Sequence, residues 1–206
     1  MAEDKMNNSD ISRRAFLLGS VAATVSMLLA SCGSSDQPGA EDLDAVTLSA
    51  TRLPTWVARK ADPSDDGTEL STPEVILPVD AWHSAVVPGT VLATLVASGQ
   101  VPDPYFGLNN KQITDLHEGV DEYVYWFVSD FRLDSADWAN AESVWLRFRG
   151  INYSAKVYLN GTELTPDDAL TGMFLRHELN ITKAIRRGAN NRLAVLVTPP
   201  QPAGHP

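Results

Sequence analysis

Between Val144 and Leu159 the apolar side chains recur at every second position. Val144, Leu146 and Phe148 alternate with Trp145, Arg147 and Arg149, and Tyr153, Ala155, Val157 and Leu159 repeat the pattern. A period of two sends successive side chains to opposite faces, so each run predicts a strand with one face toward a core. Asn160-Gly161 follows at once. Both residues tolerate positive φ, which suits a two-residue hairpin turn. The strongest strand is predicted over Tyr123 to Leu133, apolar on both faces around Trp126 and therefore central and covered on both sides. Val46 to Thr51, Met173 to Arg176 and Arg192 to Val197 supply further short strands. Helix is scarce. Thr90 to Ser98 is one candidate, capped by Thr90, striped by Leu92, Leu95 and Val96, and ended by Gly99. Thr182 to Arg187 reads as a single helical turn and Asp62 to Pro73 as a polar surface loop. Short strands with turn chemistry between them predict an all-β fold, a β-sandwich or jelly roll.

The first residues obey a different logic. Ser12-Arg13-Arg14-Ala15-Phe16-Leu17 resembles the twin-arginine export signal, with Arg13 and Arg14 as its pair. Ala15 to Ala30 carries no charge, yet it is shorter than the about 20 residues a spanning helix needs. Leu29-Ala30-Ser31-Cys32 resembles the lipobox of bacterial lipoproteins, which places the lipid on Cys32 after cleavage before it. Residues 1–31 therefore read as a processing segment rather than a fold element, residues 32–45 as a flexible tether rich in Gly, Ser, Asp and Pro, and residues 46–206 as the domain. The expected location is outside the bacterial cytoplasm, lipid-anchored to the outer face of the cytoplasmic membrane or to the cell surface. A net charge of −10 excludes a nucleic-acid partner, which needs a basic face to replace counterions. The single cysteine excludes a disulfide within the chain and a cysteine-rich metal site.

Four segments, in this order, resemble the N-terminal sugar-binding, galactose-binding-like domain of glycoside hydrolase family 2. They are Val87-Pro88-Gly89-Thr90-Val91 with Pro102-Asp103-Pro104-Tyr105-Phe106-Gly107-Leu108-Asn109; Tyr123-Val124-Tyr125-Trp126-Phe127; Phe148-Arg149-Gly150-Ile151 with Ala155-Lys156-Val157-Tyr158-Leu159-Asn160-Gly161; and Gly172-Met173-Phe174-Leu175-Arg176 with Gly188-Ala189-Asn190-Asn191-Arg192-Leu193. The resemblance runs from about Trp56 to the end and is greatest to the β-mannosidase and exo-β-glucosaminidase branch. It departs at Val124 and Tyr125, where Trp-Tyr-Arg is commoner. The resemblance implies a jelly roll ahead of an immunoglobulin-like domain and a (β/α)₈ barrel, and retaining hydrolysis of a terminal β-linked sugar.

That chemistry needs two carboxylates about 5 Å apart. In the family both are barrel glutamates, one within an Asn-Glu pair. This chain has nine glutamates, no Asn-Glu dipeptide, and 206 residues, too few for this domain and a barrel of about 250 residues. No catalytic residue is assigned, and the chain alone is expected to be inactive. Thr198-Pro199-Pro200-Gln201-Pro202 interrupts the last strand, so the jelly roll is expected to be incomplete at its C-terminus, separated from a catalytic neighbour. A freestanding carbohydrate-binding surface lipoprotein is the alternative.

Candidate sugar contacts are Asp103, Tyr105 and Asn109, in a Pro/Gly-rich loop that the resemblance brings to the mouth of the barrel, and Trp145. A carboxylate and an amide can bond hydroxyls, and an aromatic face can stack on a sugar ring. The competing reading of the loop is a turn begun by Asp103-Pro104, with Tyr105 and Phe106 filling the core. Trp126 sits in an apolar strand that favours packing, whereas Trp145 alternates with inward residues and so faces outward. Trp82 and Trp138 are undecided. His177 is read as pairing with Glu178 or capping the next turn. The four histidines are too dispersed for a metal, and the glycines form no phosphate loop, so no cofactor is expected.

Overall fold

The alternating runs pair into two sheets. The structure, a computed structural model, describes residues 14–18, 49–53, 55–116, 120–134, 136–166 and 169–200. Cys32, Arg13, the tether and the run from Gln201 onward lie outside the described residues, as do Val46 to Leu48. In chain order the elements are β1 (Arg14–Leu18), β2 (Ser49–Arg52), β3 (Val57–Lys60) and α1 (Gly67–Leu70). Then come β4 (His83–Ser84), α2 (Val91–Ala97), α3 (Asn109–Leu116), β5 (Tyr125–Arg132) and α4 (Ala136–Ala139). The last six are β6 (Ser143–Phe148), β7 (Ser154–Leu159), β8 (Thr162–Glu163), β9 (Leu170–Thr171), β10 (His177–Asn180) and β11 (Asn190–Thr198).

One sheet has the order β4-β3-β5-β11-β7-β8, with β9 also on β7; the other has the order β10-β6-β1-β2. Pairing is antiparallel throughout except at β1, which runs parallel to both β2 and β6. Arg14 to Leu18 thus form a strand inside the segment read from sequence as taking no part in the fold.

Period-two patterning fixes which side of each strand is buried. Val144, Leu146 and Phe148 of β6 meet Phe127 and Phe131 of β5, Val157 and Leu159 of β7, and Leu193 and Val195 of β11 in the main core. The opposite face of the larger sheet is also covered. Trp126, Val128 and Ala194 pack there with Leu70 and Trp82. This agrees with the reading of β5 as a central strand. The hairpin after β7 forms as its sequence requires: Asn160 and Gly161 take φ of 52° and 83°, and Leu159 pairs with Thr162 across them. Thr90 caps α2 by accepting from the Ala93 amide at 3.0 Å, and Gly99 ends it at φ 72°. One helical turn forms at Ile181–Ile185, where the Ile185 amide donates to the Ile181 carbonyl at 2.9 Å.

Two expectations fail. Met173 to Arg176 is a turn, and the strand begins only at His177. Gly172 takes φ 111°, the Leu175 amide donates back to its carbonyl at 3.2 Å, and Phe174 is left exposed. A left-handed glycine turns the chain before the apolar run can pair. The polar stretch Asp62 to Pro73 is not a loop lying free on the surface. It carries α1 and, with Trp82, forms the cover over the outer face of the larger sheet. Its polar residues make the turns, while Leu70 and Ser71 are buried. Gly67 is required there because a Cβ would meet the Tyr158 ring at 2.5 Å.

Carboxylates hold this cover in shape. The Asp66 side chain caps α1 by accepting from the Thr68 amide at 2.9 Å, and the Thr68 hydroxyl and amide hold its carboxyl below the usual range. The Ser64 hydroxyl and amide do the same for Asp62, and the Arg186 guanidinium, 2.5 Å away, does so for Glu74. A carboxyl whose folded pKa is depressed stabilises the fold above its unfolded value and loses that contribution as pH falls through the folded one. Acid titration is therefore expected to loosen residues 62–75 before the main core opens. Near-ultraviolet signals of Trp82 and Trp126 should change at a higher pH than the far-ultraviolet strand signal; coincident transitions would count against it.

Candidate functional site

The loop from Pro102 to Leu108 projects from two buried anchors, Val101 before it and Ile113 on α3 after it. Its shape comes from its own polar groups. Asp103 Oδ1 accepts from the Tyr105 amide at 2.9 Å, its carbonyl accepts from the Asn109 side-chain amide at 2.9 Å, and the Phe106 amide closes on the same carbonyl at 3.2 Å. Gly107 takes φ 59° at the tip. Asp103 and Asn109 are therefore brought together, with Asp103 Oδ1 and Asn109 Nδ2 engaged in bracing the loop. Tyr105 is 97% exposed, Phe106 75% and Leu108 76%. The turn reading of Asp103-Pro104 holds, whereas the filling of the core by Tyr105 and Phe106 does not. What the loop offers is a braced set of apolar and aromatic surfaces.

Trp145 is elsewhere. It lies half-buried on β6, between the core residues Val144 and Leu146, and its indole N–H donates to Ser143 Oγ at 3.1 Å. Trp126 and Trp82 are buried in the outer cluster, with the Arg59 guanidinium 5.0 Å from the centre of the Trp82 ring. Trp138 is buried in the main core. His177 does not take Glu178 as partner. Glu178 binds Arg147 across the strand pair at 2.6 Å, and the following turn is capped by Asn180, which accepts from the Thr182 amide at 3.0 Å.

Among the described residues, a cavity and a cleft lie away from the loop, and Asp103, Tyr105, Asn109 and Trp145 line neither. A cavity of about 380 Å³ opens between the sheets against Trp56, Val87, Phe127, Leu146, Phe148 and Ile151. Its lining is mainly apolar, with Thr90, Tyr123, Arg149 and Asn152 as the polar side chains on it. A cleft of about 330 Å³ is lined by Arg59, Lys60, His83, Gln100 and Tyr125. Arg59 is paired with Asp65, and Lys60 lies 2.6 Å from Glu122, so both cations are compensated. Burial, followed by the Glu122 and Tyr123 charges, pushes the Tyr125 hydroxyl up, keeping it a neutral donor. This cleft has hydrogen-bonding chemistry suited to an uncharged polar ligand. Sequence reading missed it because its residues come from four separated segments that only sheet pairing and α2 bring together.

Residues 56–205 match the glycosyl hydrolase 2 galactose-binding domain-like family. The chain belongs to that family. Mannosylglycoprotein endo-β-mannosidase of Lilium longiflorum is 42% identical over 153 residues, which is 72% of this chain and 15% of the relative. Exo-β-D-glucosaminidase of Amycolatopsis orientalis is 29% identical over 191 residues, which is 88% of this chain and 18% of the relative. Among solved structures, the exo-chitosanase of Amycolatopsis orientalis superposes with a TM-score of 0.60 at 25% identity, over 74% of this chain and 17% of that one. The chain thus spans between about one-seventh and one-fifth of these relatives. The family match begins at Trp56, one residue before β3, and contains every strand from β3 to β11. It agrees with the span over which the sequence resembled the sugar-binding domain of family 2.

Proposed function

We propose that this galactose-binding-like domain serves an exported, lipid-anchored family 2 glycoside hydrolase that acts on terminal β-linked sugars. The anchor is a lipid on Cys32 and the export signal contains Arg13 and Arg14. The catalytic carboxylates belong to polypeptide beyond these 206 residues. The reading draws its main support from the braced loop at Pro102 to Leu108. A tyrosine that is 97% exposed beside two other exposed apolar side chains has the character of a surface meant for a neighbour. The neighbour proposed is the catalytic domain, with Tyr105 at the rim of its sugar pocket. Of the relatives named above, the exo-β-D-glucosaminidase supports a terminal β-linked sugar, and the endo-β-mannosidase supports a β-linked sugar without placing it at a chain end.

Aryl β-mannosides and β-glucosaminides are expected to pass through the isolated chain without turnover. Measurable hydrolysis would overturn the reading. Calorimetry with mannan and chitosan oligomers separates it from the freestanding lipoprotein: saturable binding by the chain alone favours the latter. Tyr105→Ala and Phe106→Ala should each change folding stability by no more than about 0.5 kcal/mol, because both side chains are exposed. Cys32→Ser should move the exported protein from the membrane fraction to the soluble one.

A further inference from the structure

Sequence and structure treat Arg14 to Leu18 differently. By sequence the segment belongs to an export signal. In the fold it is β1, and it does not sit at a margin: it lies between β2 and β6 and pairs with both. Neighbouring strands stand about 4.8 Å apart, so β2 and β6 are about 10 Å apart across it and cannot pair with each other as they stand. Residues 19–48 join β1 to β2, more than the about 12 residues a parallel connection needs. The apolar cavity of about 380 Å³ lies at the same place, lined by Leu53 just after β2 and by Leu146 and Phe148 of β6.

We propose that the gap between β2 and β6 is a strand-acceptor slot, and that Arg14–Leu18 is its removable occupant in the precursor. The backbone register is Ala15 to Ser49 and Val144, Phe16 to Ala50 and Trp145, Leu17 to Thr51 and Leu146. While β1 is docked, the Arg14 backbone stands in register with that of Ser143. Cleavage before Cys32 leaves β1 held by its strand pairing alone, and its displacement then exposes two unpaired ladder edges. The partner class the slot fits is a short extended segment running parallel to β6. This inference rests on strand pairing together with the proposed export signal and its cleavage before Cys32, and is independent of whether the domain binds sugar.

Hydrogen exchange on the full chain tests it. Phe16→Pro removes a backbone donor from β1. It is expected to speed amide exchange in residues 49–52 and 143–148 by about tenfold or more, while β5 and β11 keep their protection. Ala22→Pro, outside the strand, should have no such effect. A synthetic peptide of residues 12–19 should restore protection in the Phe16→Pro chain, and a scrambled peptide should not. Unchanged exchange in β6, or failure of the peptide to restore it, would overturn the proposal. A proline can unfold a domain as a whole, so a second measurement uses the unsubstituted strand. A protease site placed at the Ser31–Cys32 junction is cut after folding. The released leader should co-elute with the domain until excess peptide displaces it. A leader that separates on cutting and leaves β6 as protected as before would overturn the slot.

Discussion

Asn191→Ala should lower folding stability by about 3 kcal/mol, measured as a fall in the urea midpoint at unchanged slope. The side chain is fully buried, and all four of its hydrogen-bonding positions are used. Its oxygen accepts from the Asn160 side-chain amide and the Arg186 amide, each at 2.7 Å. Its nitrogen donates to the Arg186 carbonyl at 2.8 Å and the Ala189 carbonyl at 3.0 Å. Alanine leaves those groups without partners away from water, and each orphan costs about 1–3 kcal/mol before relaxation. Asn160 is itself committed to the Ala184 carbonyl and the Arg192 amide, so the loss spreads to the hairpin that closes β7. Asn191→Asp carries a further signature. A carboxylate can accept from the two donors but would turn its second oxygen toward two carbonyls. Only the protonated acid can donate there, so its folded pKa rises above the unfolded value. The folded state then binds more protons, and this variant should lose stability as pH rises through the acid range, opposite to the behaviour of Asp66. A variant as stable as the parent, or one that gains stability with rising pH, would contradict this account.

Trp126→Ala should cost about 3–5 kcal/mol. The ring is 3% exposed on the outer face of β5 and packs with Leu70, Trp82 and Val128. The Tyr158 ring lies tilted at 54° with its centre 5.7 Å away. Alanine would open a cavity beneath a cover whose main elements are a four-residue helix and turns, and such a cover has few rigid parts with which to collapse. Trp126→Phe should cost much less. The indole N–H has no hydrogen-bond partner among the described residues, so phenylalanine removes volume and sacrifices no bond. Equal losses for the two variants in denaturant unfolding would mean that the indole N–H is bonded after all. Selective proteolysis of Trp126→Ala within residues 62–75 is expected while β7 and β11 stay intact.

Arg192 shows how local patterning and long-range contacts divide the work. Its place in an apolar strand is evident from sequence, but not the reason for it. In the fold its guanidinium binds both carboxylate oxygens of Asp130, at 2.6 and 2.9 Å, and donates to the Thr72 and Val75 carbonyls. A charged side chain 8% exposed is tolerated because a carboxylate and two carbonyls take four of its N–H groups. Of the last two acceptors, Thr72 belongs to the stretch Asp62 to Pro73 that read as surface loop, and Val75 follows it. That stretch misled because cap and turn residues are polar wherever a chain reverses, whether or not it then lies on a sheet. The Met173–Leu175 run misled in the opposite way, being apolar yet turned outward by Gly172. At the candidate site, the Asx turn of Asp103 was legible, but the exposure of Tyr105 was not. An aromatic residue beside a proline turn reads the same whether it points inward or out.

The amino-acid sequence determined the strand faces, the Asn160-Gly161 hairpin, the capped helix after Thr90 and the family to which the domain belongs. These are local matters of side-chain period, turn conformation and ordered motif, and they need no partner from elsewhere in the chain. Only the tertiary structure decided that residues 62–75 cover Trp126, that Arg59, His83, Gln100 and Tyr125 share one cleft, and that Arg14–Leu18 stands between β2 and β6. Those are choices of neighbour between distant segments, and they depend on which surfaces fit together once every strand has taken its place.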